Sequence, residues 1–162
     1  MLVDMFLKLK SPDVAGEATD AEHAGEIDVV SWSWGIQTHR DVATGRAAGK
    51  FKLNELLVVK RIDRSSPILM QLAKANKPIS AVTLTMRKAG TEQLTFFVVE
   101  LKNARVTAVD LECQNGVSLT STEVVERVHL GFDHVTITYT PQGSTGAKGG
   151  GDTTFEADSY SA

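Results

Sequence analysis

The chain has 162 residues, 42% of them apolar and 23% charged, which is the make-up of one ordinary soluble globular domain and excludes a disordered class. A net charge of −3, from 17 basic against 20 acidic side chains, argues against a phosphate-neutralising surface for nucleic acid. A single cysteine, Cys113, excludes an internal disulfide framework and a multi-cysteine metal site.

At the N-terminus Met5, Leu7 and Leu9 alternate as a half-buried strand, and the mixed charges around them do not read as a secretory signal. No apolar run approaches the roughly 20 residues of a membrane-crossing helix, so no membrane insertion is expected. Acidic groups then crowd residues 13–28, namely Asp13, Glu17, Asp20, Glu22, Glu26 and Asp28, while Lys60, Arg61 and Arg64 follow as a basic group. These read either as two solvated loops or as opposite patches that meet between copies in a head-to-tail interface. Within the acidic stretch Asp20, His23 and Glu26 are of metal-ligand type, but Gly25 and the lack of helical spacing leave nothing to converge them. A solvated loop without metal is expected there.

Residues 27–36 hold both tryptophans and read as one strand. Alternation points Val30, Trp32, Trp34 and Ile36 one way and Val29, Ser31 and Ser33 the other. Each tryptophan removes roughly 150 to 250 Å² from water when buried, so Trp32 and Trp34 are expected as core anchors and the serines as a wet face. A long connection follows at residues 39–49.

Ser66–Asn76 reads as the helix, with Ser66 as N-cap, Pro67 in the first turn, Asn76 as left-handed cap and Pro78 blocking continuation. Leu69, Leu72 and Ala73 form its apolar stripe, which lays it against the β-sheet wall. Val82, Leu84 and Met86 alternate as a strand, as do Val124, Val128 and Leu130, and then Val135, Ile137 and Tyr139. Leu94–Leu101 differs, since Leu94, Phe96 and Val98 are apolar on one face and Phe97, Val99 and Leu101 on the other. Such a strand is either central in a sandwich or a barrel strand whose outer face is covered by the helix or another subunit. A Gly-rich stretch at 143–151 precedes a short last strand within 152–160. Repeated short strands imply a compact antiparallel barrel or sandwich over one domain, 1–162.

No catalytic constellation emerges. Gly146–Gly151 lacks the Gly-Lys-Ser/Thr ending of a phosphate loop, since Lys148 follows Ala147 and no helix comes after it. Ser31 or Ser33 could be set with His39 and Asp41 as a hydrolase triad, but no Gly-x-Ser-x-Gly elbow supports it. His129 and His134 flank a turn at Gly131, and Cys113 beside Glu112 has no basic neighbour to make a reactive thiolate. Neither an enzyme nor a cofactor is expected.

The residues resemble the haemolysin-coregulated protein (Hcp) family of the bacterial type VI secretion system. The likeness runs through Val3–Leu9, Gly16–Asp20 with His23, Glu26–Gly35 with its Ser-Trp-Ser-Trp-Gly, Lys60–Met70 with Asp-Arg-Ser-Ser-Pro, Leu84–Gly90 and Val135–Gln142. The resemblance implies an antiparallel β-barrel with one flanking helix, related to phage tail tube proteins, six copies of which close into rings that stack into a tube. It also implies a contractile sheath, a spike and effector proteins as partners, and cytoplasmic synthesis followed by release through the apparatus. On that basis Ser31 and Ser33 are expected to line the lumen, and Phe97, Val99 and Leu101 to meet a neighbouring subunit. Arg40, Asp41 and Arg46, where the 39–49 loop departs from the family pattern, are expected in ring stacking. A monomeric barrel that binds a small ligand is the alternative, and would need an enclosed apolar pocket.

Overall fold

The computed structural model describes residues 2–38, 43–45, 51–90, 93–115, 122–143 and 148–159. Its strands are β1 (Val3–Lys10), β2 (Ile27–Asp28), β3 (Ser31–Ser33), β4 (Ile36–Gln37), β5 (Lys52–Leu53), β6 (Leu56–Arg61), β7 (Ile79–Lys88), β8 (Thr95–Asn115), β9 (Thr122–Gly131), β10 (His134–Tyr139) and β11 (Thr153–Asp158). The one helix among the described residues, α1 (Ser66–Ala75), lies between β6 and β7 in sequence.

All the strand pairs are antiparallel. The organising element is one long bent hairpin. β8 runs 21 residues, and β9 and β10 return along it in turn, Thr122 opposite Asn115 and Tyr139 opposite Phe97. A register shift at Val106–Ala108 and the positive φ of Asn103 (48°) bend the hairpin where β9 gives way to β10. Its first half lies in a sheet ordered β2-β1-β7-β8-β10-β11 and its second half in β8-β9-β6-β3.

Alternation then fixes the core. One file of cross-strand partners runs Ile27, Leu7, Leu84, Val99 and Ile137, and the next runs Leu9, Val82, Leu101 and Val135. The second sheet contributes Val58 opposite Val128, and Leu56 opposite Leu130, all four at 0% exposure. At about 25 cal/mol per Å² of apolar area, this interior is the main favourable term in the fold.

Residues 27–33 close the circuit between the two sheets. Val29 N donates to Met5 O on β1 at 3.0 Å, and Val30 N donates to Val59 O on β6 at 2.8 Å, so the same segment is stitched to both. The expected single strand 27–36 is therefore three short ones, each with a different partner. The alternation slips at the crossing. Val29, expected beside the serines, is in the core, and Ile36, expected inside, is 46% exposed.

The helix begins at Ser66, but its N-cap is Ser65, whose side chain makes no capping bond. Ser66 Oγ is engaged elsewhere, donating to Glu126 Oε1 at 3.0 Å. Asn76 does take the left-handed cap, and Leu69 and Leu72 are buried as the stripe requires. Within the Gly-rich stretch, Gly149 is required by close approach: a Cβ there would stand 2.5 Å from the Gln142 carbonyl carbon.

Candidate functional site

The crossing segment presents the candidate surface. Ser31 and Ser33 are exposed, while Trp32 and Trp34 are half-buried and packed against the core cluster. The tryptophans cap the edge of the core instead of filling its centre. Trp32 stacks on Phe97 (5.9 Å between ring centroids), and Trp34 meets Phe155 at 6.4 Å. Register places Ser31 beside Val59 and then Arg127, and Ser33 beside Leu57 and then His129. Arg127 in turn forms an ion pair with Glu112 of β8. The outer face of this sheet is thus a mixed strip in which hydroxyls and a paired charge flank the half-buried Val59 and Leu57.

The expected subunit face is corrected. Val99 and Leu101 are 1% and 0% exposed in the chain's own core, and Phe97 is half-buried beneath Trp32. Of the two apolar faces of 94–101, this one was consumed by folding, and the half-exposed face is that of Phe96 and Val98. Arg40, Asp41 and Arg46 lie outside the described residues, as does His39 of the hydrolase arrangement.

The acidic stretch touches the basic segment within one chain, but through a backbone amide and not a pair of charges. Glu17 Oε2 accepts from the backbone N of Arg64 at 3.1 Å, and Lys60 is not a surface cation at all. Lys60 is 0% exposed, ion-paired with Glu126 and, at 3.0 Å, with Asp63. The Asp20–Glu26 stretch is a loop with Ala21, Glu22, Ala24 and Gly25 exposed, and its three metal-type residues are half-buried and engaged. His23 bonds Glu26 and stacks on Phe6 with ring centroids 4.3 Å apart, while Asp20 reaches Arg87. His23 and Glu26 are thus committed to each other and Asp20 to Arg87. The hydrogen bond from Arg87 holds the Asp20 carboxyl below the usual carboxylate range, and the same bond raises Arg87.

Two buried charges, Arg87 and Glu126, escaped the sequence reading because both sit in strands that alternate as if their polar positions faced water. No local signal marks Arg87, which stands between Met86 and Lys88 and pairs with Asp4 on β1.

Comparison with known proteins agrees with the geometry. Residues 6–139 match the family described as "Type VI secretion system effector, Hcp". The chain is 39% identical over 154 residues to Protein hcp1 of Pseudomonas aeruginosa, covering 93% of this chain and 91% of that one. Among solved structures it resembles Hcp1 from Salmonella typhimurium (TM-score 0.76, 28% identity, 98% of this chain and 96% of that one). It also resembles a type VI secretion system effector from Yersinia pestis (TM-score 0.72, 26% identity, 96% and 99%). With the antiparallel fold, single helix and near full-length match in hand, the chain belongs to the Hcp family of type VI secretion system proteins.

Proposed function

We propose that this chain is a structural tube component of the type VI secretion apparatus. Six copies close into a ring, rings stack into the inner tube within a contractile sheath, and the tube is expelled with its spike, carrying effector proteins in the lumen. The carrying observation is the crossing segment, whose Trp32 and Trp34 pack inward while Ser31 and Ser33 stand exposed beside the half-buried Val59 and Leu57 and the Arg127–Glu112 pair. Such a strip suits a hydrophilic bore that holds cargo without gripping it. The Hcp family is one of secreted structural proteins and not of enzymes, and this reading follows it. Ring stacking is assigned to the 39–49 loop with Arg40, Asp41 and Arg46. Synthesis is cytoplasmic, and release is through the apparatus.

Electron microscopy of the purified protein tests the assembly, with six-fold rings expected and small featureless particles counting against it. Ser33→Arg tests the lumen, since it should leave rings intact while reducing retention of co-expressed effectors. Loss of the ring together with unfolding of the barrel would remove Ser33 from the bore. The ligand-binding alternative gains no support from the cavity of about 240 Å³ between β1 and residues 13–26, because Lys8, Asp13, Glu22 and Glu26 line it.

A further inference from the structure

Past the buried Glu126 the core-side face of the long hairpin runs out over solvent. Glu126 lies opposite Lys60 on β6 and Leu111 on β8, and the next file outward sets Cys113 opposite Val124, with Ile62 N donating to Val124 O at 3.3 Å. Alternation turns all of these to the side that carries the core. Lys60 and Glu126 are 0% exposed, yet Leu111 is 54%, Ile62 43% and Val124 41% exposed, and Cys113 is exposed with them. The hairpin is thus apolar on a face that its own chain stops covering. β8 also carries an open edge here, since over 105–115 it pairs with β9 alone among the described residues. An apolar face beside an unpaired strand edge is a place where a further strand adds.

A second apolar face is left over on the β4–β5 ribbon. Ile36 stands opposite Leu53, and Leu53 packs on the core cluster. Phe51, two residues before Leu53, falls on the same side by alternation. Ile36 and Phe51 remain 46% and 39% exposed, while Lys52 is exposed on the ribbon's other side. The ribbon cannot reach the hairpin of its own chain. It follows β3 at one edge of the sheet ordered β8-β9-β6-β3, and Asn54 N donates to Gly35 O at 2.9 Å just before β6 begins. Ile62 lies past the other end of β6, about 26 Å away at roughly 3.3 Å per residue, and β8 is the opposite edge. Two unlike apolar faces at diagonal corners of one sheet meet only between copies, and head-to-tail contacts of that kind are the ones that close rings.

We propose that the β4–β5 ribbon of one copy lies along the open β8 edge of the next, with Ile36 and Phe51 covering Leu111, Cys113 and Val124. Charge agrees with that placement. Laid along the edge with the two apolar sides aligned, the ribbon brings Lys52 to the side of the exposed Asp110, and opposite charges on neighbouring strands attract. The contact takes the place of the one that folding denied to Phe97, Val99 and Leu101. The inference deepens the reading that copies of this chain assemble and rests on it.

The test is cross-linking of the full-length Ile36→Cys variant with a short bis-maleimide, the second thiol being the native Cys113, read on a denaturing gel beside electron micrographs of the same sample. Linked dimers and longer ladders are expected, and Cys113→Ser in the same chain should abolish them. Leu111→Arg, at a position 54% exposed, should leave the far-UV circular dichroism unchanged and cut the linked fraction at least about tenfold, the effect of losing about 1.4 kcal/mol of association. Lys52→Glu should weaken linking as well, and Asp110→Lys added to it should restore it. Linking that survives Cys113→Ser, or that Leu111→Arg leaves unchanged, overturns the proposal. Rings in the micrographs without linked dimers overturn this contact and leave the assembly reading standing. Linked ladders without rings keep the contact and sink six-fold closure.

Discussion

Lys60 and Glu126 face each other across β6 and β9, both at 0% exposure and joined by a direct ion pair. Ser66 Oγ, at the start of α1, touches both, and it also accepts the backbone N of Asp63 at 3.0 Å. The pair thus fixes the turn that delivers the helix to the wall of the barrel. Taking Lys60 away leaves the buried Glu126 without its cation, a loss of about 3–5 kcal/mol, whereas replacing both with apolar side chains is close to neutral. Lys60→Met should accordingly lower the urea midpoint sharply, and Lys60→Met with Glu126→Leu should recover most of it. A double variant as unstable as the single one would show that the turn, not the lone charge, is what fails.

Asp20 supplies a pH dependence of known sign. The Arg87 hydrogen bond lowers its carboxyl from the ordinary 3.8 in the folded state, so the unfolded chain takes up the proton first. Its contribution is present above that ordinary value and is lost as pH falls through the lower folded one. Between about pH 5 and about pH 3 the parent should lose stability faster than Asp20→Asn, with groups common to both cancelling in the difference. Parallel declines in thermal melts would mean that the contact with Arg87 adds nothing to the fold.

Most strands were legible because their cores are written at period two: Leu7 and Leu9, Val82 and Leu84, Val128 and Leu130 all face the interior as alternation requires. The helix was legible from Pro67, its apolar stripe and Asn76. What failed was identity of face where the chain changes sheets. Val29 and Val30 each bond a different sheet, and the slip between them moved Val29 inward, while Ile36 is exposed in the separate β4–β5 pair. The two-faced strand 94–101 failed for a related reason, since nothing local says which apolar face meets the core and which is left over. Ser31 and Ser33 were placed correctly on an exposed face because they follow the slip. The Asp20–His23–Arg87 contact joins positions 67 apart and has no local signature.

Gly16 is required by backbone contact alone. A Cβ there would stand 2.4 Å from Glu26 O and 2.7 Å from the Ile27 Cα, and backbone atoms have no rotamer with which to yield. Gly16→Ala should therefore open the loop of residues 16–26 while leaving the barrel strands paired, for a loss of about 1–3 kcal/mol, the ordinary range for a strained substitution. Hydrogen exchange should show faster exchange at Ala18 and Gly25, both bonded within that loop, with β7 unchanged. Protection retained at both amides would refute the close-approach account.

Leu101→Ala separates the two roles considered for that residue. Leu101 is 0% exposed, facing Val82 on one side and Val135 on the other, so truncation leaves a cavity in a single chain. Leu-to-Ala changes at such sites cost about 2–5 kcal/mol. A residue serving only a contact between copies would instead weaken association and leave the isolated chain's unfolding midpoint alone. Urea denaturation at a protein concentration where the chain is monomeric should thus show a large loss for Leu101→Ala and almost none for Ser33→Ala, whose side chain meets solvent. A Leu101→Ala midpoint that shifts only with protein concentration would return the residue to the subunit interface.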